Sequence, residues 1–383
     1  MKALFWTGVV WILYVYVGYP LIVGLLALVR QVRPEIRDGY VPSVSVLIAA
    51  WNEEKDIGWK VAETLAWDYP AEKLEVLVAS DASEDRTDEI VRGIGDQRVT
   101  FVRMEKRGGK NLALNRLAGM ARGDILFFTD ANSHIAPAGL RRLVRHFADP
   151  RVGCVTGEMH YRDERRESAV GEGTKVYWGY ESLIKHLESR IGSVLVCVGS
   201  VFAVRAALYQ PLHPEVANDL ELPLRIGRAG HWIRYEPAAR SVERPARTAF
   251  EEFTRQRRIV AQGALAAWRL RRQLAGLRAW QFLSRKLLRW LTAVPLLLLV
   301  VSSAALASRP VFALLLAPQL AFWALALGGY ALARMGRSGG RLFSLPFYVA
   351  LVALAGLVGV IDACTGRRFH VWETAALSRG RVS

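Results

Sequence analysis

The sequence predicts an α/β domain built on a mostly parallel sheet and flanked at both ends by membrane-spanning helices. Three observations carry that expectation. Apolar runs of strand length alternate with polar, helix-compatible stretches between Val44 and Met159. Four apolar runs of spanning length lie outside that region. One strand run, Asp124-Ile-Leu-Phe-Phe-Thr-Asp130-Ala-Asn132, stops abruptly in an Asp-x-Asn triplet, at the strand edge where α/β sheets bind ligands.

The first element is Ala3 to Val29, which has no ionisable side chain apart from tyrosines and is long enough for a helix to cross ~30 Å of hydrocarbon. A secretory signal has a shorter apolar core and a small-residue cleavage site; none follows, so residues 1–30 read as a retained anchor. Arg30, Arg33 and Arg37 follow the run and only Lys2 precedes it, which puts the central region, 31–246, on the cytoplasmic side.

Within that region the expected strands are Val44–Ala50, Leu74–Ala79, Val99–Met104, Asp124–Thr129 and Val152–Thr156. Their spacing of roughly 25 to 30 residues suits successive βαβ units, with helices in stretches such as Glu54–Leu65 and Asn111–Met120. Polar residues cluster where the strands end: Asn52-Glu53-Glu54, Asp81-Ala-Ser83 and Asp130-Ala-Asn132. From Tyr161 to Leu222 the pattern is less regular. Tyr177, Trp178 and Tyr180 there read either as sugar platforms or as core, and Val196–Val201 contains Gly199 and Ser200.

The formal charge of +16, from 51 Lys and Arg against 35 Asp and Glu, would favour nucleic acid in a soluble chain. Its location argues otherwise. From Arg247 to Arg289 there are 11 Lys and Arg against Glu251 and Glu252, interleaved with Trp268, Trp280, Phe282 and Trp290. That mixture beside a span describes interfacial helices, 247–286, on an anionic leaflet, with no nucleic-acid partner. Three spans are expected over 287–366, at Leu287–Ala307, Pro310–Ala333 and Leu342–Ala363, followed by a basic tail, 367–383. Four spans would put that tail outside, whereas Arg367, Arg368, Arg379 and Arg381 favour the inside, so two topology indications conflict. A small-solute transporter needs ionisable groups within its spans, and only Asp362 qualifies, at a span's end. Cys154, Cys197 and Cys364 are too few and scattered for a disulfide framework or metal cluster.

Asp81, Lys110, Asp130 and Asn132 together suit a nucleotide diphosphate. One carboxylate can accept from a base or ribose, and Asp130 with Asn132 can hold Mg²⁺ or Mn²⁺ against the diphosphate. The alternative for the triplet is a strand-end turn. Asn218-Asp219, ahead of an apolar stretch, offers either a general base in Asp219 or merely a helix N-cap.

These residues resemble the inverting family 2 glycosyltransferases of GT-A fold, in particular the membrane-embedded branch with the cellulose, chitin, hyaluronan and poly-N-acetylglucosamine synthases. Ile48-Ala49-Ala50-Trp51-Asn52-Glu53-Glu54 is similar to the family's first strand and nucleotide-contacting turn, and Ser80-Asp81-Ala82-Ser83 to its Asp-x-Ser motif, whose Asp recognises uracil. Gly108-Gly109-Lys110-Asn111-Leu-Ala-Leu-Asn115 matches the Gly-Lys segment, Asp130-Ala131-Asn132 the metal-binding Asp-x-Asp, and Asn218-Asp219 the motif with the catalytic base. Asn132 departs from that pattern by supplying a neutral oxygen. So does Gln256-Arg257-Arg258-Ile259-Val260, where processive synthases carry Gln-x-x-Arg-Trp. Arg257 or Arg258 would substitute on the diphosphate, Gly199 and Ser200 belong to the acceptor or diphosphate side, and the stacking Trp has no replacement nearby in sequence. The resemblance implies a multi-pass protein of the cytoplasmic (inner) membrane that moves sugar from a nucleotide-sugar donor, UDP-linked, to a lipid-linked or glycan acceptor. A processive exopolysaccharide synthase and a catalytically silent nucleotide-binding scaffold are the alternatives.

Overall fold

A computed structural model of the chain describes residues 1–161, 169–244, 248–272, 274–337 and 339–367, with side chains from 176 onward in the helix that begins at Ala169. Arg247 and the basic tail at 368–383 lie outside the described residues. Four strands, β1 (Val44–Ala50), β2 (Leu74–Ser80), β3 (Val99–Arg103) and β4 (Ile125–Asp130), pair in parallel. β5 (His134–Ile135), β6 (Val152–Tyr161), β7 (Phe202–Arg205) and β8 (Trp232–Glu243) complete one sheet in the order β3-β2-β1-β4-β7-β6-β8-β5. β7 runs antiparallel to both β4 and β6, so the parallel half meets a mixed half there.

Why these runs form central strands follows from their alternation. Val44, Val46, Ile48 and Ala50 pack on one face with Val76, Val78, Ile125 and Phe127, while Leu47, Ala49, Leu77, Ala79, Leu126 and Phe128 pack on the other. A strand buried on both faces reads as a continuous apolar run. Helices α2 (Ile57–Leu65), α3 (Thr87–Arg92) and α5 (Gly139–Val144) cover the first face; α4 (Lys110–Ala118) and α7 (Asn218–Arg228) cover the second. β6 runs on to Tyr161, past the expected end at Thr156, through a register shift at Thr156/Glu158. Gly157 sits there because a Cβ would run into the Ala239 carbonyl. β7 and β8 were not foreseen: β7 has only 4 residues, and Pro237 interrupts the β8 pattern.

The N-terminal apolar run is one helix, α1 (Lys2–Val29). Of the expected C-terminal spans, α11 (Pro310–Arg334) and α12 (Gly340–Cys364) are each a single helix of 25 residues. The run expected at Leu287–Ala307 is not one helix. It is divided between α9 (Leu277–Trp290) and α10 (Ala293–Ala305), bent by 57° at the break. Pro295 has no N–H to return to the Leu291 carbonyl, which ends the first arm. The 13 residues of α10 cover only about 20 Å, short of the hydrocarbon thickness. Among the described residues three helices are therefore long and apolar enough to span, or four if the bent pair counts as one.

The basic segment also differs from its expected role as an interfacial surface. α8 (Ala249–Arg269) is the first half of that segment, α6 (Ala169–Arg190) supplies acids to its end, and five of its arginines are bonded internally. Arg255 pairs with Glu252, Arg257 with Asp362, Arg269 with Glu215, Arg289 with Glu181, and Arg285 with both Glu181 and Glu188. Charge counting along the segment overstated its free charge, because most of the balancing acids lie elsewhere in sequence. Arg285 is nearly fully buried, and Glu188 also accepts from Tyr19 Oη of α1 at 2.5 Å.

Arg285→Met would strand two buried carboxylates, and removing one partner of such a group typically costs ~3–5 kcal/mol. A large drop in the detergent-solubilised unfolding temperature is expected; an unchanged melt shows that the network does not hold the helices to the sheet.

Candidate functional site

The strand order β2-β1-β4 sets the site. Ala50 of β1 lies beside Ser80 of β2, and Ala49 lies beside Asp130 of β4, so the polar ends of three strands meet at one edge. After β1 the chain turns at Asn52 with φ 54°, and the Asn52 side-chain oxygen accepts from Glu84 N at 2.8 Å. Glu53 is buried; its N–H donates to Thr87 Oγ1 and its carbonyl accepts from Ile57 N at the start of α2. Asn52 and Glu53 thus brace the turns after β1 and β2.

Asp81 is fully buried, and its two carboxylate oxygens accept from Gly108 N and Gly109 N, each at 2.8 Å. Gly109 adopts φ 90°, open to glycine, and this turn delivers Lys110 as the first residue of α4. The Lys110 ammonium pairs with the Asp130 carboxylate. Asp81 and Asp130 are therefore linked through one glycine turn.

Lys110 and Asp130 face a cavity of about 400 Å³ whose other walls include Asp219, Gly199, Ser200, Gln256 and Arg258. Asp219 sits in the first turn of α7, behind Gly199, whose added Cβ would be 3.5 Å from Asp219 Oδ2. The N-cap of this helix is Ala217, with no side-chain cap bond, so neither Asn218 nor Asp219 is the cap. Burial pushes the Asp219 carboxyl above the usual range, against the pull of Lys110 and Lys286. Ser200 is buried with its hydroxyl 3.0 Å from that of Ser241.

Two expected members stand apart. Asn132 is exposed in the turn after β4 and does not line the cavity. Arg257 turns to the far side of α8, where its guanidinium bonds Asp362 Oδ1 at 2.8 Å; Arg255, Arg258, Ile259 and Gln262 present the cavity face instead. Helical periodicity separates them, since Arg258 and Arg257 differ by about 100°.

Several ionisable lining residues escaped the sequence reading, among them Glu243, Lys185 and Lys286. Glu243, at the end of β8, is pushed up by burial and by Asp130. Lys185 of α6 and Lys286 of α9 also line the cavity. Glu243 ends a strand that was not recognised, and nothing in the sequence ties the two lysines to the site. An aromatic wall is present too, from the distant part of the chain where Tyr177 and Trp178 read either as platforms or as core: both line the cavity, carried there by α6 from about 80 positions before Ile259. Trp268 is exposed, with Arg271 over its ring, and does not line it.

A family model described as glycosyltransferase like family 2 matches residues 42–292. The chain is 36% identical over 118 residues to a beta-monoglucosyldiacylglycerol synthase of Synechocystis sp., covering 30% of this chain and 25% of that protein. It is 26% identical over 215 residues to the poly-beta-1,6-N-acetyl-D-glucosamine synthase of Staphylococcus aureus, covering 54% and 51%. The chain thus matches about half or less of the length of these curated relatives. A solved mannosyltransferase of Pyrobaculum calidifontis, in complex with GDP-Man and Mn²⁺, superposes with a TM-score of 0.69 at 24% identity over 92% of this chain and 99% of that one, a likeness of GT-A fold.

Asp81→Ala would leave two buried N–H groups without acceptors, a loss of ~1–3 kcal/mol for each group left unsatisfied. Faster hydrogen exchange across 106–111 and weaker binding of nucleotide diphosphate are expected together; unchanged exchange there would show that Asp81 does not hold the turn.

Proposed function

The chain belongs to the family 2-like glycosyltransferases, and on that premise we propose that it is an inverting enzyme moving a sugar from a UDP-linked donor to a lipid-linked or polysaccharide acceptor at the cytoplasmic membrane. The observation that supports this most is that Lys110, Asp130 and Asp219, from three separate elements, face one cavity. The helices long and apolar enough to span support a membrane setting.

The donor's diphosphate lies against Lys110 and Asp130, with Asn52, Glu53 and Asp81 shaping the nucleotide end. Asp130, on the cavity wall, would be the principal ligand for Mg²⁺ or Mn²⁺, and Asn132, exposed outside the lining, would contribute only by turning toward it. No group of three or more His, Cys, Asp or Glu that could hold a metal occurs among the described residues, so phosphate oxygens and water would have to complete the shell of the cation. Its contribution is to neutralise charge that develops on the leaving diphosphate. Asp219 takes the proton from the attacking hydroxyl, on the face of the sugar opposite the departing diphosphate. Gly199, lacking a side chain, leaves that carboxylate accessible, and Gln256 and Arg258 line the acceptor side.

A donor screen with purified protein, scoring nucleotide diphosphate release, tests the reading. Release that needs Mg²⁺ or Mn²⁺ and disappears in Asp130→Ala is expected, with Asn132→Asp tolerated; full activity in excess EDTA would sink the metal. Asp219→Asn should bind donor normally and fold normally, because it is not a cap, while turnover falls on the order of 10² to 10⁴. Because burial raises the Asp219 pKa, the base is lost as pH falls through a point above the ordinary aspartate range, and the acid limb of kcat should lie there.

Tyr177 and Trp178 on the cavity wall favour a second reading, a processive synthase, since stacked sugars keep a growing chain bound. Ile259 and Val260 favour one or a few additions per encounter. Radiolabelled time courses at limiting enzyme separate them: long polymer beside untouched acceptor marks processive synthesis, and uniform stepwise growth marks distributive transfer.

A further inference from the structure

Lys185 is 2% exposed, and its ammonium has no hydrogen-bond partner. It lies 5.5 Å from the Trp178 ring centroid and 5.0 Å from that of Tyr235, on the cavity wall. The two carboxylates that influence it most are already engaged. Glu181 bonds Arg285 and Arg289, and Glu158 accepts from Ser182 and Tyr235. Burial lowers the Lys185 pKa to about 8, so the group still carries its proton at neutral pH. A buried charge without a hydrogen-bonding anion is costly, and a fold keeps one where a ligand completes it. A second donor has the same need: Asn218, 5% exposed, presents an unpartnered Nδ2 and lines the same cavity.

We propose that Lys185, assisted by Asn218, binds the phosphate of an acceptor lipid headgroup whose hydroxyl faces Asp219. This rests on the glycosyltransferase reading and narrows its acceptor to a phosphate-bearing lipid. The diphosphate of the donor has its own cation in Lys110, at the edge of the sheet. The Lys185 wall is built instead from α6, whose Tyr177 packs with Phe347 and Tyr348 of the apolar helix α12, and from α9, whose Arg285 and Arg289 bond Glu181. An anionic group reaching this wall from the membrane-facing side brings an apolar tail that those helices can accept.

The test measures binding to the full-length protein in nanodiscs or detergent by calorimetry, with dihexanoyl-phosphatidylglycerol, dihexanoylglycerol, inorganic phosphate and UDP as probes. For the wild type, phosphatidylglycerol should bind at least tenfold tighter than either the uncharged diglyceride or inorganic phosphate. Lys185→Met should weaken phosphatidylglycerol roughly ten- to hundredfold, the scale of a lost charge-assisted hydrogen bond, and Lys185→Arg should restore most of it. Equal wild-type binding of the diglyceride overturns the proposal even if the Met variant fails to fold, and so does equal binding of inorganic phosphate. Loss of UDP binding rather than lipid binding in Lys185→Met overturns it as well, by assigning the lysine to the donor. Donor hydrolysis by the wild type without acceptor is scored separately: its presence with no lipid preference sinks this inference alone, and its absence with every donor sinks the glycosyltransferase reading.

Discussion

The guanidinium of Arg285 is the interaction on which the rest of the molecule depends. It is buried and bonded to Glu181 and Glu188, while Arg289 reaches Glu181 and Tyr19 reaches Glu188. Four charged groups are thereby tied across α6 and α9, and Tyr19 joins α1 to them through Glu188, so the N-terminal apolar helix is fastened to α6 by a side chain as well as by chain connectivity. Burial would raise the Glu181 carboxyl, but Arg289 and Arg285 hold it well below the usual range; at Glu188 burial prevails and the group is raised. Such a network is retained for the geometry it enforces rather than for net stability. Here that geometry is the floor of the cavity, since Glu181 and Arg285 both line it.

At the opposite wall the constraint comes from the backbone. Parallel strands present their carboxyl ends together, and the turn at Gly108-Gly109 closes on Asp81 with Gly109 at φ 90°, a conformation that favours glycine. The same turn starts α4 and aims Lys110 at Asp130. A buried carboxylate, two amides, an ammonium and a second carboxylate are joined in one chain of bonds from Asp81 to Asp130. Its members are few, and each is used twice, once for structure and once for the site.

Between these walls the electrostatics are asymmetric. Asp219 and Glu243 are both raised by burial, and Lys110 opposes the shift in each. A carboxylate that is reluctant to ionise binds a proton more strongly once it has one, which suits a group that must accept a proton from a hydroxyl. The cations on the cavity wall come from several elements: Lys110 from α4, Lys185 from α6, Arg255 and Arg258 from α8, and Arg285 and Lys286 from α9.

The sequence alone determined the parallel half of the sheet, because strands buried on both faces must be continuously apolar, and β1 was legible to the residue. It also singled out Asp81 and Asp130 by their place at the ends of such strands, and Lys110 and Asp219 by motifs ahead of helices. Only the tertiary structure decided which of them meet. It turned Arg257 away to Asp362, left Asn132 in solvent, made Ala217 the cap, and brought Tyr177, Trp178 and Lys185 from α6 and Glu243 from β8 to the cavity. The physical reason is range. Periodicity reports which face of its own element a residue occupies, whereas the partner of a buried charge is chosen by packing between segments as distant as Glu181 and Arg285, and no local pattern encodes that choice.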